Sequence, residues 1–194
     1  MKEVIKPRGQ YRNNDLPVPA DSKWVKAFLS TALLWAGSQP NPWEMSESVM
    51  ADALQEIFNV VYPGVKYKVN PNGTVFAVVS LFLCRQRRLS EWRSNIGSTA
   101  LAIIVDFCSR IKDAPNAIVA KQLLKNYAFM YEDSDNISRE TAYLSVSVLQ
   151  MIASTHLSAI VNHTDVPALN TDELALGKGM DGVIVLCVVT VRFF

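Results

Sequence analysis

Apolar positions recur every three to four residues over most of this chain, the spacing that turns one face of an α-helix towards a core. Trp24, Val25, Phe28, Leu29, Ala32 and Leu33 form the first set, with Asp21 as its N-cap and Gly37 at its C-terminal end. Val49, Met50, Ala53, Leu54, Ile57, Phe58 and Val61 form the second. Glu44 and Glu47 favour the start of that helix through the macrodipole, and Pro63-Gly64 ends it. From Thr74 to Ile111 there is no proline. This stretch predicts one helix of roughly 55 Å, at 1.5 Å per residue, or two helices hinged near Asn95-Ile96-Gly97. Pro115 suits the first turn of the next helix, which carries Ile118, Val119, Leu123, Leu124, Tyr127 and Ala128. Leu144, Val148, Leu149, Ile152, Leu157 and Ile160 mark a helix over 141–162. Thr171 is placed to cap a last helix, interrupted at 177–182.

Two stretches carry conflicting signals. In "VKYKVNPNGTVFAVV", Val65, Tyr67 and Val69 alternate with lysines ahead of an Asn72-Gly73 turn, which reads as a hairpin over 65–76. Thr74 suits the start of a helix equally well, and the apolar set Val75, Val78, Val79, Leu81 and Phe82 runs past strand length, so the helix is the favoured reading. "GVIVLCVVTVRFF" is rich in β-branched residues and has strand propensity. No strand partner is evident, so it is expected to be a buried helix. Residues 1–20 are polar, with Pro7, Pro17 and Pro19, and read as a flexible arm. The expected architecture is therefore all-α: an N-terminal arm over 1–20, then one domain over 21–194 of about six or seven helices around a long central helix. The apolar ending Val-Arg-Phe-Phe is that expected of a C-terminally truncated chain.

Composition narrows the function classes. The chain has 194 residues, 49% of them hydrophobic, and a net charge of +1, which is not the charge of a general polyanion binder. Lys and Arg outnumber acids 12 to 8 over 1–94, and acids outnumber them 10 to 7 afterwards. Cys84, Cys108 and Cys187 are odd in number and set among apolar neighbours, the usage of a reduced intracellular protein. The longest apolar runs are too short to span a bilayer and no signal-peptide pattern opens the chain. A cytoplasmic or nuclear protein without membrane association is expected.

Candidate chemistry is sparse. His156 and His163 stand seven apart with no cysteine nearby, so no metal site is expected. "DSDNIS" opens like a calcium loop at Asp133 and Asp135. Ser138 then replaces the turn glycine, and Leu144 the bidentate Glu. "GKG" at 177–179 lacks the other elements of a phosphate loop, and no serine or cysteine has an activating neighbour. No catalytic residue and no cofactor is expected. The densest cluster is basic: Arg85, Arg87, Arg88 and Arg93, with Trp92 among them. Arginine binds phosphate bidentately and tryptophan stacks on bases, so this stretch is the candidate nucleic-acid site. The competing reading pairs Arg88 with Glu91 and buries Trp92. Ser94, Gly97 and Ser98 share one side of a helix and are small, which predicts a close helix crossing there, with Leu101, Ile104 and Val105 as core beyond it.

The blocks "RLSEWRSNIGSTALAI" at 88–103, "YAFMYED" at 127–133, and "LQMIASTHLSAIVNHTDVPAL" at 149–169 followed by "ELALGKG" resemble a family of basidiomycete fungal proteins of unknown function. The resemblance covers roughly 65–190. It implies a helical protein from an expanded, mobile-element-associated family whose members continue beyond position 194, and it implies no catalytic residue. Three functions are consistent with these readings. The first is a non-enzymatic helical binding or scaffold module with a protein partner. The second is a nucleic-acid-binding accessory protein using residues 85–93. The third is an enzyme with an unfamiliar site, for which His156, His163, Asp133 and Asp135 are the first groups to test.

Overall fold

The computed structural model describes residues 6–7, 10–42, 44–84, 88–111 and 114–193, with side chains at all of these except 80–91, 178, 192 and 193. The fold is all-α, and among the described residues the sole β-pairing is an isolated bridge between Tyr131 and Ala142. Helix α1 covers Ser30–Gly37 and continues a π-helical turn over Trp24–Leu29. It is followed by α2 (Glu47–Val61), α3 (Thr74–Cys84), α4 (Arg88–Arg110), α5 (Asn116–Leu124), α6 (Val146–Met151), α7 (Ser158–Ile160), α8 (Thr171–Glu173) and α9 (Asp181–Phe193). In the proline-free stretch over 74–111, residues 85–87 lie outside the described residues; α4 runs unbroken through Asn95, Ile96 and Gly97, so the expected hinge is absent there.

The chain forms two compact units. The first comprises Met1–Trp92 and Ser158–Gly182. Its α1 is enclosed nearly all round: Ser30, Thr31, Ala32, Leu34, Trp35, Ala36 and Gly37 are all buried. The expected N-cap holds, because the Asp21 carboxylate accepts from the N–H groups of Lys23 (2.9 Å) and Trp24 (3.1 Å). The expected apolar stripe does not survive intact. Val25 faces solvent, while Leu34 and Trp35, both outside the expected set, are buried because α1 is enclosed on nearly every side. Trp24 stacks on Phe28 at 4.4 Å, and Phe28, Phe58, Tyr62 and Tyr67 continue the aromatic cluster at 5.2–6.5 Å between neighbouring rings.

Two polar devices hold the connections of this unit. Residues 65–70 have no regular secondary structure and pair with no strand among the described residues. The Gln55 side chain stands in for one, accepting from the Val69 N–H (2.7 Å) and donating to the Tyr67 carbonyl (3.2 Å). The helix reading of 74 onward therefore holds, with Gly73 supplying the first carbonyl to the Ala77 N–H. Thr31 fixes the 161–170 loop: its hydroxyl donates to the Ala27 carbonyl (2.7 Å) and accepts from the Thr164 N–H (2.8 Å). Thr171, expected as a cap, instead accepts from the Val166 N–H at 2.6 Å, while Asn170 takes a left-handed conformation ahead of α8.

The arm expected over 1–20 is anchored where it is described. Tyr11 and Val18 are buried, Lys6 pairs with Asp15, and the Tyr11 hydroxyl reaches the Asn72 carbonyl at 3.4 Å. The "GKGMDG" segment packs backbone to backbone. A Cβ at Gly182 would overlap the Gln39 carbonyl and lie 2.7 Å from that of Gly37.

The second unit comprises Arg93–Leu157 and Val183–Phe194. The helix expected over 141–162 begins later, because Tyr143 adopts a positive φ of 64° and Ser145 caps the Val148 N–H at 3.2 Å. Val148, Met151, Ile152, Thr155 and His156 form its buried face, while Leu149 and Leu157 of the expected stripe face solvent. The C-terminal segment is a helix as expected, with Val183, Leu186 and Cys187 buried three and four apart. Packing decides against its strand propensity.

Candidate functional site

Each candidate site was expected from proximity in sequence, and helix phase and burial decide which of its members meet. In the basic cluster, Arg85 and Arg87 lie outside the described residues. Arg88 opens α4, but its side chain is also outside them. Trp92 is 3% exposed, so its indole is part of the protein interior and offers no face to a base. Arg93 is half-buried. Trp92 is buried, as the competing reading had it; the Arg88–Glu91 pair of that reading rests on side chains outside the described residues.

The expected helix crossing also changes. Trp92, Ile96 and Ala100 form the buried stripe of α4 at intervals of four. Ser94 and Ser98 lie on the exposed side, where the Ser98 hydroxyl bonds back to the carbonyls of Ser94 (3.0 Å) and Asn95 (3.2 Å). Gly97 alone meets another helix, with a Cβ placed there 4.0 Å from the Thr190 methyl of α9. A distance of 4.0 Å is ordinary van der Waals contact, so a methyl group would fit at Gly97, and the two serines are exposed.

The polar groups set aside for an unfamiliar enzyme are divided between the two units, and each has its own local setting. His156 is fully buried, and burial pushes its pKa down to about 4, so at neutral pH it is an uncharged core residue. Asp133 is exposed in the 131–140 loop and accepts from the Asp135 N–H at 2.9 Å, a local turn. His163 lies in the first unit. Its Nδ1 faces the Ile160 carbonyl at 3.1 Å and so carries the proton, leaving Nε2 4.0 Å from Asp172. Among the described residues no three His, Cys, Asp or Glu side chains gather as metal ligands would. A depression of about 380 Å³ lies over Asn13, Asn14, Leu16 and 17–20, and no titratable side chain lines it. Cys187 is buried and its thiol is pushed up to about 12, far from the thiolate a nucleophile needs.

The feature that sequence reasoning missed is apolar. Leu101, Ile104 and Val105 were expected in the core, and Ile118, Val119, Leu123, Leu124 and Tyr127 as the buried stripe of the next helix. Between Leu101 and Tyr127 no described side chain is buried. Leu101 is 46% exposed, Val105 59%, Ile118 52% and Leu124 47%. Asn126 and Tyr127 adopt left-handed backbone conformations (φ 54° and 56°); Ala128 is buried as expected, joined by Phe129, while Tyr127 is exposed. Periodicity identified both helices. It carries no information about whether a periodic face meets its own chain or another molecule.

Among the described residues no single helix is long and apolar enough to cross a membrane; one bent pair, Thr171–Gly177 with Asp181–Val191, passes by length and composition alone. No family model, curated protein or solved structure matches the chain.

Proposed function

We propose that this chain is a non-enzymatic helical module that binds a protein partner through α4 and α5. The observation that carries this reading is the run from Leu101 to Tyr127. It forms two helices and holds several large aliphatic side chains, yet buries none among its described residues. Isolated apolar residues on a surface are ordinary, whereas a continuous set on consecutive helices marks an interaction surface. Docking an amphipathic helix into a partner recovers the hydrophobic free energy that the chain alone leaves unused. The resemblance to a mobile-element-associated fungal family suits a scaffold role and assigns no chemistry. Nucleic acid is the less suitable partner, because Trp92 is buried and the remaining case rests on arginines alone.

Site-specific photocross-linking tests the reading. A photoreactive phenylalanine analogue at Leu101 or Ile118 is expected to capture a polypeptide in cells. The same group at Val65, an exposed apolar position of the first unit, is expected not to. Equal capture at the three positions refutes the proposal.

A further inference from the structure

We infer that the exposed apolar side chains of α4 and of α5 are covered by a second copy of this chain, an inference that rests on the protein-binding reading above. The argument is charge complementarity within the second unit. Over 101–127 the chain carries net positive charge. Arg110 is paired with Asp106 on the same helix (2.7 Å), and the surplus lies on Lys121 and Lys125, both exposed among the apolar side chains of α5 and the turn after it. Over 131–140 the sign reverses: Glu132, Asp133, Asp135 and Glu140 stand against Arg139 alone. Among the described residues Lys121 and Lys125 form no ion pair, and neither do Glu132, Asp133 or Asp135. One unit thus holds a basic, apolar surface and an acidic, exposed loop, neither neutralised by its own chain.

A two-fold pair satisfies both surfaces at once, because each copy presents the same patch and the contact of surface i with surface j is repeated as j with i. The aliphatic side chains of α4 and α5 supply the dry centre. The lysines of one copy meet the acidic loop of the other at the rim, where charges set orientation and association rate more than affinity.

Two sets of variants of the full chain test this by sedimentation velocity. The wild type is expected to be a dimer that dissociates on dilution. Leu101→Ser with Val105→Ser is expected to weaken it by roughly tenfold per position, the cost of one lost apolar contact. Both side chains are exposed, so an unchanged helical circular dichroism spectrum and melting curve will show that the fold is retained. Lys121→Glu with Lys125→Glu is expected to weaken the dimer, as is Asp133→Lys with Asp135→Lys. An equimolar mixture of these two charge variants is expected to form a mixed dimer, since opposite charges then meet at both rims. A wild type that stays monomeric at its highest soluble concentration overturns the inference, as does a dimer insensitive to both sets of variants. If the monomer still cross-links from Leu101 to a different polypeptide, the second copy is wrong and the protein-binding reading stands. If Leu101 captures nothing, both fail.

Discussion

Acidification should destabilise this protein through one buried imidazole. His156 is fully buried among Met151, Ile152 and Thr155 on the inner face of its helix, and burial lowers its pKa from 6.5 to about 4. The folded state therefore binds a proton less readily than the unfolded chain. The contribution to stability is complete above the unfolded value of 6.5, falls as the pH drops below it, and levels off near 4. A difference of this size corresponds to a loss of about 3 kcal/mol, of which about 2 kcal/mol is gone at pH 5. Against a total stability of about 5–15 kcal/mol this is a large fraction. Urea unfolding followed by circular dichroism between about pH 7 and pH 5 measures the effect, with His156→Leu as the reference that cannot ionise. The difference between wild type and variant should shrink in the wild type's disfavour as the pH falls, which separates the imidazole from carboxylates common to both. Parallel pH profiles for wild type and His156→Leu, or an imidazole signal for His156 titrating near 6.5 in the folded protein, would refute the reasoning.

Two further substitutions probe the first unit. Gly182→Ala is expected to cost about 3 kcal/mol or more in urea unfolding, because the new methyl meets the backbone carbonyls of Gly37 and Gln39, which cannot rotate away. Gly64→Ala, with no atom within 4 Å, is the matched control and should be close to neutral. Tyr62→Phe is expected to leave stability unchanged or raise it by up to about 1 kcal/mol in thermal melts. The Tyr62 hydroxyl is buried without a hydrogen-bond partner among the described residues, and burial, followed by the charge of Asp21, pushes its pKa up to about 12. A loss of stability there would show that the hydroxyl is bonded after all.

Local signals were read correctly wherever local physics decides. Asp21 caps its helix, Pro63-Gly64 closes α2, and the valine-rich C-terminus forms a helix with its inner face three and four residues apart. Phase was harder to read. Leu34, Trp35 and His156 are buried outside the expected sets, and Val25, Leu149 and Leu157 within them are exposed. Asn126 and Tyr127 show the same limit in another form: two left-handed residues redirect the chain with no glycine to announce it.

The candidate sites divide along the same line. That arginines and a tryptophan lie together is a property of the sequence; that Trp92 turns inward with Ile96 and Ala100 is a property of α4 in its surroundings. The sequence by itself determined the helical class and the positions of most helices, because spacing and caps are local. Only the tertiary structure decided which apolar faces are used up inside the chain. Most of the apolar side chains of α1, α2 and α9 are buried, while those of α4 beyond Ala100 and of α5 are half-buried or exposed. Hydrophobic burial is non-directional: a helix face states that it needs cover, and only the assembled fold shows whether the chain itself provides it.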